Sequence, residues 1–268
     1  MSGVVSFNNR FVTNDDIPIL ATSSAALYGK GIFTTIAVYE GKAFFWDKHW
    51  RRLETNAEKL KIDLTWYSQN TTKDSLDELI SKNKVNRGRA RITLFDESPT
   101  AIWPFETNQK TSLLITTGNL RPAIANFRLT ISPYPINSRA PLTGVKSCNY
   151  LENLLAIDKA KARGFDEAIR VNERGEVTSG AMSNVFWLKN EMLYTPSLRT
   201  GCLGGTTREF VIENIDCLEV EASLDELRTA EAIFLTSAGL GVIQAAEFES
   251  RRFNLTDHPI TRLLPSAR

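Results

Sequence analysis

The sequence predicts an α+β protein of two domains, and three observations support this prediction. Its 268 residues suit one large domain or two of medium size. Segments with the composition of β-strands are mixed with a few segments whose apolar residues recur at helical spacing. Glycine and proline interrupt regular structure in residues 117–122, which favours a linker there. We therefore expect an N-terminal domain at residues 1–117, a linker at 118–123 and a C-terminal domain at 124–268.

The N-terminal half is predicted to contain mainly strands, with two helices. The strand-like segments are Val4–Phe7, Ile36–Tyr39, Ala43–Trp46, Ala90–Phe95 and Ser112–Thr116. The turn residues Glu40–Gly41 join two of these segments into a hairpin. The apolar spacing over Trp46–Leu60 predicts an amphipathic helix that Asp47 can cap, and a second helix is expected near Leu76–Ile80.

The C-terminal half alternates strands, hairpins and helices. The strand-like segments are Phe127–Ser132, Leu218–Glu221, Ala232–Thr236 and Val242–Phe248. Turn residues predict hairpins around Asn172–Gly175 and Lys189–Glu191. A helix over residues 149–163 is expected to end at Gly164, because glycine adopts the left-handed conformation that commonly follows a helix. A further helix is expected to open at Gly205.

Composition and charge favour small-molecule chemistry. The 32 basic and 31 acidic residues nearly balance, which leaves no field to attract nucleic acid or a membrane surface. The three cysteines form no metal-binding spacing, and His49 and His258 are the two histidines of the chain. We expect no metal site, and His49 is interpreted as a surface or packing residue. Without an apolar leader or an 18-residue apolar run, the protein is expected to be cytoplasmic.

Lys146 is a candidate for covalent chemistry. It lies between a glycine-containing loop and the start of a predicted helix, so its position is fixed by its surroundings. Lysine forms a reversible imine with a carbonyl compound, but most lysines are solvated surface charges, and position alone leaves both interpretations open. Tyr150 follows four residues later and could contact a phenolate-type oxygen, or it could simply pack in the core.

Two segments and one arginine could bind a phosphate group. Thr206 and Thr207 follow Gly205 at the start of a predicted helix, where backbone N–H groups and the helix dipole favour an anion. Ser237 follows a buried-looking strand and could add a donor. Arg52, beside an apolar leucine, is expected to face the domain interior, where its guanidinium suits phosphate. Each of these features, taken alone, is also compatible with an ordinary helix cap, a plain turn or a solvated arginine.

In their order and spacing, these segments resemble the class IV aminotransferase family. The matching segments are Leu27–Thr35, Arg52–Leu53, Lys146 with Asn149–Leu151, Gly164–Ala168, Val177–Phe186, Thr195–Pro196 and Leu203–Arg208. The resemblance extends from about Ser6 to Phe248. It implies the two-domain fold type IV architecture of the D-amino-acid and branched-chain aminotransferases, with pyridoxal 5′-phosphate (PLP) in the cleft between the domains. It also implies a homodimer that acts on a small amino substrate.

The resemblance assigns a role to each candidate residue. Lys146 would carry PLP covalently, and Thr35 would assist catalysis. The remaining cofactor-binding residues would be Arg52, Tyr150, Ser179, Thr206, Thr207 and Ser237. The substrate side would be lined by Phe33 and Tyr28.

The chain departs from the family pattern at Ser179, where a glutamate is usual. That glutamate stabilises a protonated ring nitrogen, which makes the ring a strong electron acceptor. A serine hydroxyl can donate to a neutral nitrogen but cannot stabilise a cationic one as a carboxylate does. We therefore expect a largely unprotonated ring nitrogen and a preference for elimination over transamination. A second departure, Gly204 in place of a proline, is mild.

The sequence favours a lyase within this family. Phe33-Thr34-Thr35 resembles the pattern of the lyase that converts 4-amino-4-deoxychorismate to 4-aminobenzoate and pyruvate. Ser147-Cys148 replaces the Gly-Gly of branched-chain enzymes, and Arg91–Ser98 lacks the Arg-x-His element of D-amino-acid enzymes. The alternative is a transaminase for branched-chain or D-amino acids. A third possibility is a degenerate member that binds PLP without turnover.

Overall fold

The computed structural model describes residues 3–100, 110–120 and 124–264. Its contacts divide the chain into two compact units, one formed by Met1–Arg121 with Val145–Asn149 and the other by Pro122–Gly144 with Tyr150–Arg268. Val145–Asn149 was assigned to the C-terminal domain from its place in the chain. It belongs to the first unit because Ser147 forms an antiparallel bridge with Ile32. The boundaries at residues 117 and 124 stay a prediction.

The first unit contains an antiparallel sheet flanked by helices. Its strands are β1 (Val4–Phe7), β2 (Arg10–Thr13), β3 (Gly31–Tyr39), β4 (Lys42–Ala43), β5 (Gly88–Asp96) and β6 (Thr111–Asn119). Its helices are α1 (Ser24–Tyr28), α2 (Trp46–Leu60) and α3 (Gln69–Lys82), with a 3₁₀ turn at Asn14–Asp16. The strand order is β2-β1-β6-β5-β3-β4. Apolar residues of β3, β5 and β6 share one core with α2 and α3.

Two details of this unit differ from the sequence prediction. The second hairpin arm is shorter than predicted, since β4 ends at Ala43 and Trp46 already begins α2. Asp47 does not cap α2, because Phe45 occupies the N-cap position in a left-handed conformation. Asp47 lies instead in the first turn, where its charge interacts favourably with the helix dipole.

The second unit contains two five-stranded sheets. Its strands are β7 (Arg128–Ile131), β8 (Glu167–Val171), β9 (Val177–Gly180), β10 (Asn184–Lys189), β11 (Met192–Pro196), β12 (Cys217–Val220), β13 (Ala232–Ser237), β14 (Gly241–Gln244), β15 (Glu247–Phe248) and β16 (Arg251–Arg252). The orders are β12-β11-β10-β13-β14 and β16-β15-β7-β8-β9. The strand predicted over Val242–Phe248 is divided, because β14 pairs with β13 whereas β15 pairs with β7 in the other sheet.

Three helices complete the second unit as described. They are α4 (Leu151–Ala162), α5 (Thr206–Asn214) and α6 (Leu224–Thr229), with 3₁₀ turns at Leu198–Thr200 and Pro259–Arg262. Gly164 follows α4 with φ +81°, as the sequence predicted for the end of this helix. Gly205 is the N-cap of α5, also as predicted. In the part of the chain that the structure describes, no helix has the length and apolar character needed to cross a membrane.

Candidate active site

Main-chain hydrogen bonds fix Lys146 beside the start of β3. The Phe33 N–H donates to the Lys146 carbonyl oxygen at 2.9 Å, and the Cys148 N–H donates to that of Gly31 at 2.8 Å. These bonds extend the sheet by one short antiparallel segment. The Lys146 amine lies 4.4 Å from the centroid of the Phe33 ring. Lys146 is therefore held in place by the sheet, as the prediction of a functional lysine requires.

The environment of Lys146 favours its neutral amine. Burial lowers its pKa to about 7, and the guanidinium groups of Arg52 and Arg91 contribute by repelling the ammonium form. The Arg91 guanidinium packs 3.7 Å from the centroid of the same Phe33 ring. A lysine with a pKa near neutrality is partly deprotonated at physiological pH, so it can act as a nucleophile or as a base.

Arg52 is held by a network on the core side of β3. Its Nη2 donates to the Thr34 hydroxyl at 2.7 Å, and that hydroxyl lies 2.6 Å from Nδ1 of His49. The Thr34 oxygen accepts from Arg52, so its own hydrogen is available to His49. Arg52 Nη2 also lies 3.5 Å from Nδ1, and this donor beside it favours Nδ1 as the acceptor. Burial, together with the Arg52 and Lys146 charges, lowers the pKa of His49 well below its usual value. His49 is therefore neutral, in agreement with this hydrogen bond.

Thr35 lies on the opposite face of β3 from Thr34. Successive residues of a strand alternate between faces, so Thr35 shares the face of Phe33. The strand register also makes Thr35 the Cα partner of Arg91 on β5, and paired residues point to the same side. Two predicted site residues, Thr35 and Phe33, therefore stand with Arg91 on one face of the sheet.

Tyr28 ends α1 close to the lysine segment. It is followed by Gly29, which has φ +64° and accepts a hydrogen bond from the Asn149 side chain at 2.9 Å. A Cβ at Gly29 would lie 2.7 Å from Oδ1 of Asn149, so both backbone conformation and space require glycine. Tyr28 itself is 45% exposed. The structure thus connects the turn after Tyr28 to the segment that contains Lys146.

In the second unit, the start of α5 has the features of an anion site. Thr206 and Thr207 are buried at the first two positions of the helix. Gly205 precedes them and has no side chain that could cap the first N–H groups. Asn184 donates to the Leu203 carbonyl oxygen at 2.7 Å and so holds the preceding loop. A helix start of this kind favours a phosphate group.

The end of β13 adds hydroxyl groups to the same part of the second unit. Thr236 is the Cα partner of Asn184, and its buried hydroxyl has no hydrogen-bond partner among the described residues. The Ser237 hydroxyl accepts the N–H groups of Gly239 and Leu240 at 3.3 and 3.1 Å, and its own hydrogen can still be donated. The sequence indicated Ser237 as a donor, whereas Thr236 was predicted only as the last residue of a strand.

Ser179 and Tyr150 occupy other positions in the second unit. Ser179 lies on β9 opposite Arg170 and is 8% exposed. Tyr150 is half-buried at the N-cap position of α4. Glu167 on β8 is completely buried, and burial raises its pKa to about 7. Several hydrogen bonds to its carboxylate oppose this shift, and the largest effect among them comes from the Ala168 N–H. The family-based role of each residue stays a prediction.

Sequence reasoning missed two residues around Lys146. His49 is buried, as a packing residue would be, but it also forms a hydrogen-bonded group with Thr34 and Arg52. Its position three residues before Arg52 on α2 puts both on one helix face and could have revealed this. Arg91 was considered only as part of an absent motif. Its proximity to Phe33 depends on the pairing of β3 with β5, which no local pattern in the sequence reveals.

Comparison with known proteins places the fold and the motifs in one family. The amino-transferase class IV family matches residues 31–248. The chain is 31% identical over 255 residues to the aminodeoxychorismate lyase of Bacillus subtilis, covering 92% of this chain and 87% of that protein. It is 28% identical over 251 residues to the D-alanine aminotransferase of Listeria innocua, covering 89% and 85%.

A solved structure has the same fold over nearly the whole chain. The branched-chain aminotransferase of Thermoproteus uzoniensis, solved with norvaline, superposes with a TM-score of 0.89 and 25% identity and covers 98% of this chain and 92% of that one. These similarities confirm the resemblance that the motifs indicated. The chain therefore belongs to the class IV aminotransferases, which are pyridoxal-phosphate-dependent enzymes of fold type IV.

Proposed function

We propose that this protein is a PLP-dependent lyase that converts 4-amino-4-deoxychorismate to 4-aminobenzoate and pyruvate. The observation that carries the proposal is that Thr35, Phe33 and Arg91 share one face of β3 and β5, where the Lys146 amine lies 4.4 Å from the centroid of the Phe33 ring. The substrate has an amine, which an aldehyde cofactor can bind covalently. It also has two carboxylates, which are suited to a guanidinium group. The similarity to the lyase of Bacillus subtilis supports the same choice.

The residues present fit PLP as the cofactor. Lys146 offers an amine with a pKa of about 7, suited to an aldehyde. Arg52, the start of α5 with Thr206 and Thr207, and the unpartnered hydroxyl of Thr236 offer donors suited to a phosphate dianion. We propose that Tyr150, Ser179 and Ser237 bind the cofactor with these residues. When bound, PLP would supply an aldehyde that links to amines and a ring that withdraws electrons from the adjacent carbon.

The chain's own residues would position the substrate and move its protons. Arg91 would bind a carboxylate, with Phe33 packing beside it and Tyr28 lining the same side. Lys146 would take the proton from the ring carbon that bears the amine, since its pKa allows it to act as a base near neutral pH. The C–O bond to the enolpyruvyl group breaks in the same elimination. Thr35 would donate a hydrogen bond to the departing oxygen, which leaves as the enol of pyruvate and takes up a proton.

The proposal is tested by incubating the PLP-loaded protein with enzymatically generated 4-amino-4-deoxychorismate. We expect equal amounts of 4-aminobenzoate and pyruvate. Thr35→Val, which keeps the shape but removes the hydroxyl, should lower the rate by about 10²-fold or more, the lower range for a proton-transfer or hydrogen-bonding group. Thr35→Ser is the matched control and should retain most activity. If neither product forms and the protein transaminates an amino acid instead, the lyase proposal is wrong and the protein is a transaminase.

Transamination is the second candidate function. The relatives named as D-alanine and branched-chain aminotransferases favour it, and Arg91 could bind an amino-acid carboxylate as well. A panel of branched-chain and D-amino acids with 2-oxoglutarate distinguishes the two activities. A member that binds PLP without turnover would show the cofactor absorbance but no spectral change with any amine. The presence of Lys146, Tyr150 and Arg52 together argues against this third possibility.

We further propose a cytoplasmic homodimer. Leu151, Leu154 and Leu155 form an apolar stripe on α4, and they are 66%, 45% and 47% exposed. A second copy of the chain would cover such a stripe. All three cysteines of the chain are free thiols, which fits a reducing compartment.

A further inference from the structure

Arg170 and Ser179 lie directly opposite each other on neighbouring strands of the second unit. Strands β8 and β9 pair antiparallel, and the register makes these two residues Cα partners. Opposed residues of an antiparallel pair point to the same face, with Cβ atoms about 5 Å apart. Both are buried, since Arg170 is 2% and Ser179 8% exposed. One face of this strand pair therefore carries a buried hydroxyl beside a buried guanidinium.

Both groups retain donors without acceptors among the residues that the structure describes. The Ser179 hydroxyl makes no hydrogen bond to any described residue. Arg170 donates from Nε to the Tyr134 carbonyl oxygen at 3.2 Å and from Nη2 to that of Pro135 at 3.3 Å. Its Nη2 also lies 3.2 Å from the Glu152 carboxylate, and Nη1 has no acceptor in the described part of the chain. Neither Ser179 Oγ nor Arg170 Nη1 is among the fully buried atoms that lack a partner, so both keep some access to solvent. A ligand atom that accepts hydrogen bonds can therefore reach both donors.

The positive charge of Arg170 is weakly offset on this face. Two of its partners are neutral carbonyl groups, and the Glu152 side chain is 77% exposed, so water screens its charge. Glu167, the acid within β8, lies three positions before Arg170 and therefore faces the other side of the strand. Its carboxylate accepts the N–H groups of Ala181 and Met182 at 2.9 and 3.1 Å. Glu176, which precedes β9, forms an ion pair with Arg174.

We propose that Arg170 and Ser179 together set the protonation state of the cofactor's ring nitrogen. This inference rests on the proposed function, in which Ser179 contacts PLP. A pyridine nitrogen without a proton accepts a hydrogen bond from the Ser179 hydroxyl, whereas a protonated one would place a second cation near Arg170. The pair therefore favours the unprotonated ring, which withdraws electrons less strongly and favours elimination over transamination. Arg170 acts as a specificity-determining residue without touching the substrate.

We expect that an acid at position 179 alone would not restore a strong electron acceptor. A glutamate there would lie beside Arg170 and form an ion pair with it. The carboxylate would then be shared between the guanidinium and the ring nitrogen. Only removal of the arginine charge together with introduction of the acid would leave the carboxylate to stabilise a protonated ring.

The test is ¹⁵N NMR of the holoenzyme reconstituted with ring-¹⁵N pyridoxal phosphate, recorded over a pH series. We expect the signal of an unprotonated nitrogen in the wild-type enzyme. In the double variant Arg170→Gln/Ser179→Glu, the ring-nitrogen pKa should rise by about 1–3 units, the range for an opposite charge in contact. Ser179→Glu alone should give a smaller rise. A protonated nitrogen in the wild-type enzyme, or an unchanged pKa in the double variant, would overturn the proposal.

Two further variants separate charge from structural support. Arg170→Lys keeps the charge but cannot make the same set of hydrogen bonds, and it should keep the wild-type nitrogen signal. Glu152→Gln removes the ion pair but keeps the guanidinium, and it should also keep the signal. If Arg170 serves only to hold the Tyr134–Pro135 loop, Arg170→Gln should lower the melting temperature without changing the ring-nitrogen pKa. If the double variant does not fold, Arg170→Gln alone decides, because loss of its charge should still raise that pKa.

Failure of this proposal can be distinguished from failure of the proposed function. Borohydride reduction followed by peptide mapping reports whether PLP is attached to Lys146. If no label is found there, the proposed function is wrong. If Lys146 is labelled but the nitrogen signals do not follow the pattern above, only the role of Arg170 and Ser179 is wrong.

Discussion

At the scale of single residues, the chemistry around Lys146 depends on charge and burial. Two guanidinium groups, of Arg52 and Arg91, stand near an amine that the fold removes from water. Burial and the two positive charges disfavour the ammonium form, so a larger fraction of the amine is neutral, and therefore reactive, near neutral pH. The same guanidinium groups are suited to the phosphate of the proposed cofactor and the carboxylates of the proposed substrate. They would therefore both lower the pKa of Lys146 and bind these anions.

The lowered pKa of Lys146 predicts a specific pH dependence. Only the neutral amine reacts with an aldehyde, so the rate of borohydride-trapped labelling by pyridoxal phosphate should rise with pH around a midpoint near 7. Arg91→Met removes a positive charge that disfavours the ammonium form, so the midpoint should move to higher pH. Arg91→Lys keeps the charge and is the control. A midpoint that stays near 7 in Arg91→Met would show that the arginine charge has no part in the shift.

Arg52 gives a second prediction at this scale. If its guanidinium binds the cofactor phosphate, Arg52→Ala should weaken PLP binding by about 1.5–3 kcal/mol, the range for hydrogen bonds to charged groups. Equilibrium titration of the apoenzyme with PLP measures this. Arg51→Ala is a useful control, since Arg51 is an exposed neighbour on the same helix. Equal affinities for wild type and Arg52→Ala would exclude a phosphate contact.

At the scale of secondary-structure elements, the start of α5 depends on a glycine. A Cβ at Gly205 would lie 2.0 Å from Oδ1 of Asn184, a buried side chain that also holds Leu203. Gly205→Ala should therefore displace the loop, lower the melting temperature and weaken PLP binding. Gly204→Ala is the matched control, because its Cβ would meet nothing closer than 4.0 Å. Calorimetry and PLP titration check both, and a Gly205→Ala protein indistinguishable from Gly204→Ala would contradict the prediction.

Elements whose signal is local were predictable from the sequence. Helix α2 was predicted because its apolar residues repeat at helical spacing up to Leu60, although it begins at Trp46 and not after Asp47 as expected. Its cap was not predictable, since Phe45 adopts a left-handed conformation that no propensity favours. The division of the last predicted strand between β14 and β15 depends on partners in two different sheets.

The candidate site shows the same limit. Lys146, Thr206 and Thr207 were found because each stands in a short motif. The neighbour Arg91 of Phe33 was not found, because strand register brings the two together across many residues of sequence. Arg170 and Ser179 belong to a hairpin whose turn was predicted, but an irregularity beside Arg170 shifts its register, and the sequence does not reveal that shift. A single sequence contains the residues of such pairs but not their pairing.

At the scale of the whole molecule, the exposed stripe on α4 predicts the oligomeric state. Leu154→Asp with Leu155→Asp should convert a dimer to a monomer, because burial of charge in an apolar interface is unfavourable. Light scattering after size-exclusion chromatography measures the mass. Leu218→Asp is the control and should stay dimeric, because Leu218 is an exposed leucine on β12, the edge strand of a five-stranded sheet, and is not part of the stripe on α4. A wild-type protein that is monomeric at micromolar concentration would contradict the proposed homodimer.

The path of the chain between the two units has a consequence for synthesis. The chain leaves the first unit at Arg121, returns for Val145–Asn149 and leaves again. While a ribosome is still making the intervening residues, the edge of β3 near Phe33 lacks the segment that later pairs with it. An open strand edge invites pairing with other chains. The nascent protein is therefore most prone to aggregation just before its lysine segment emerges, and that same segment closes the edge.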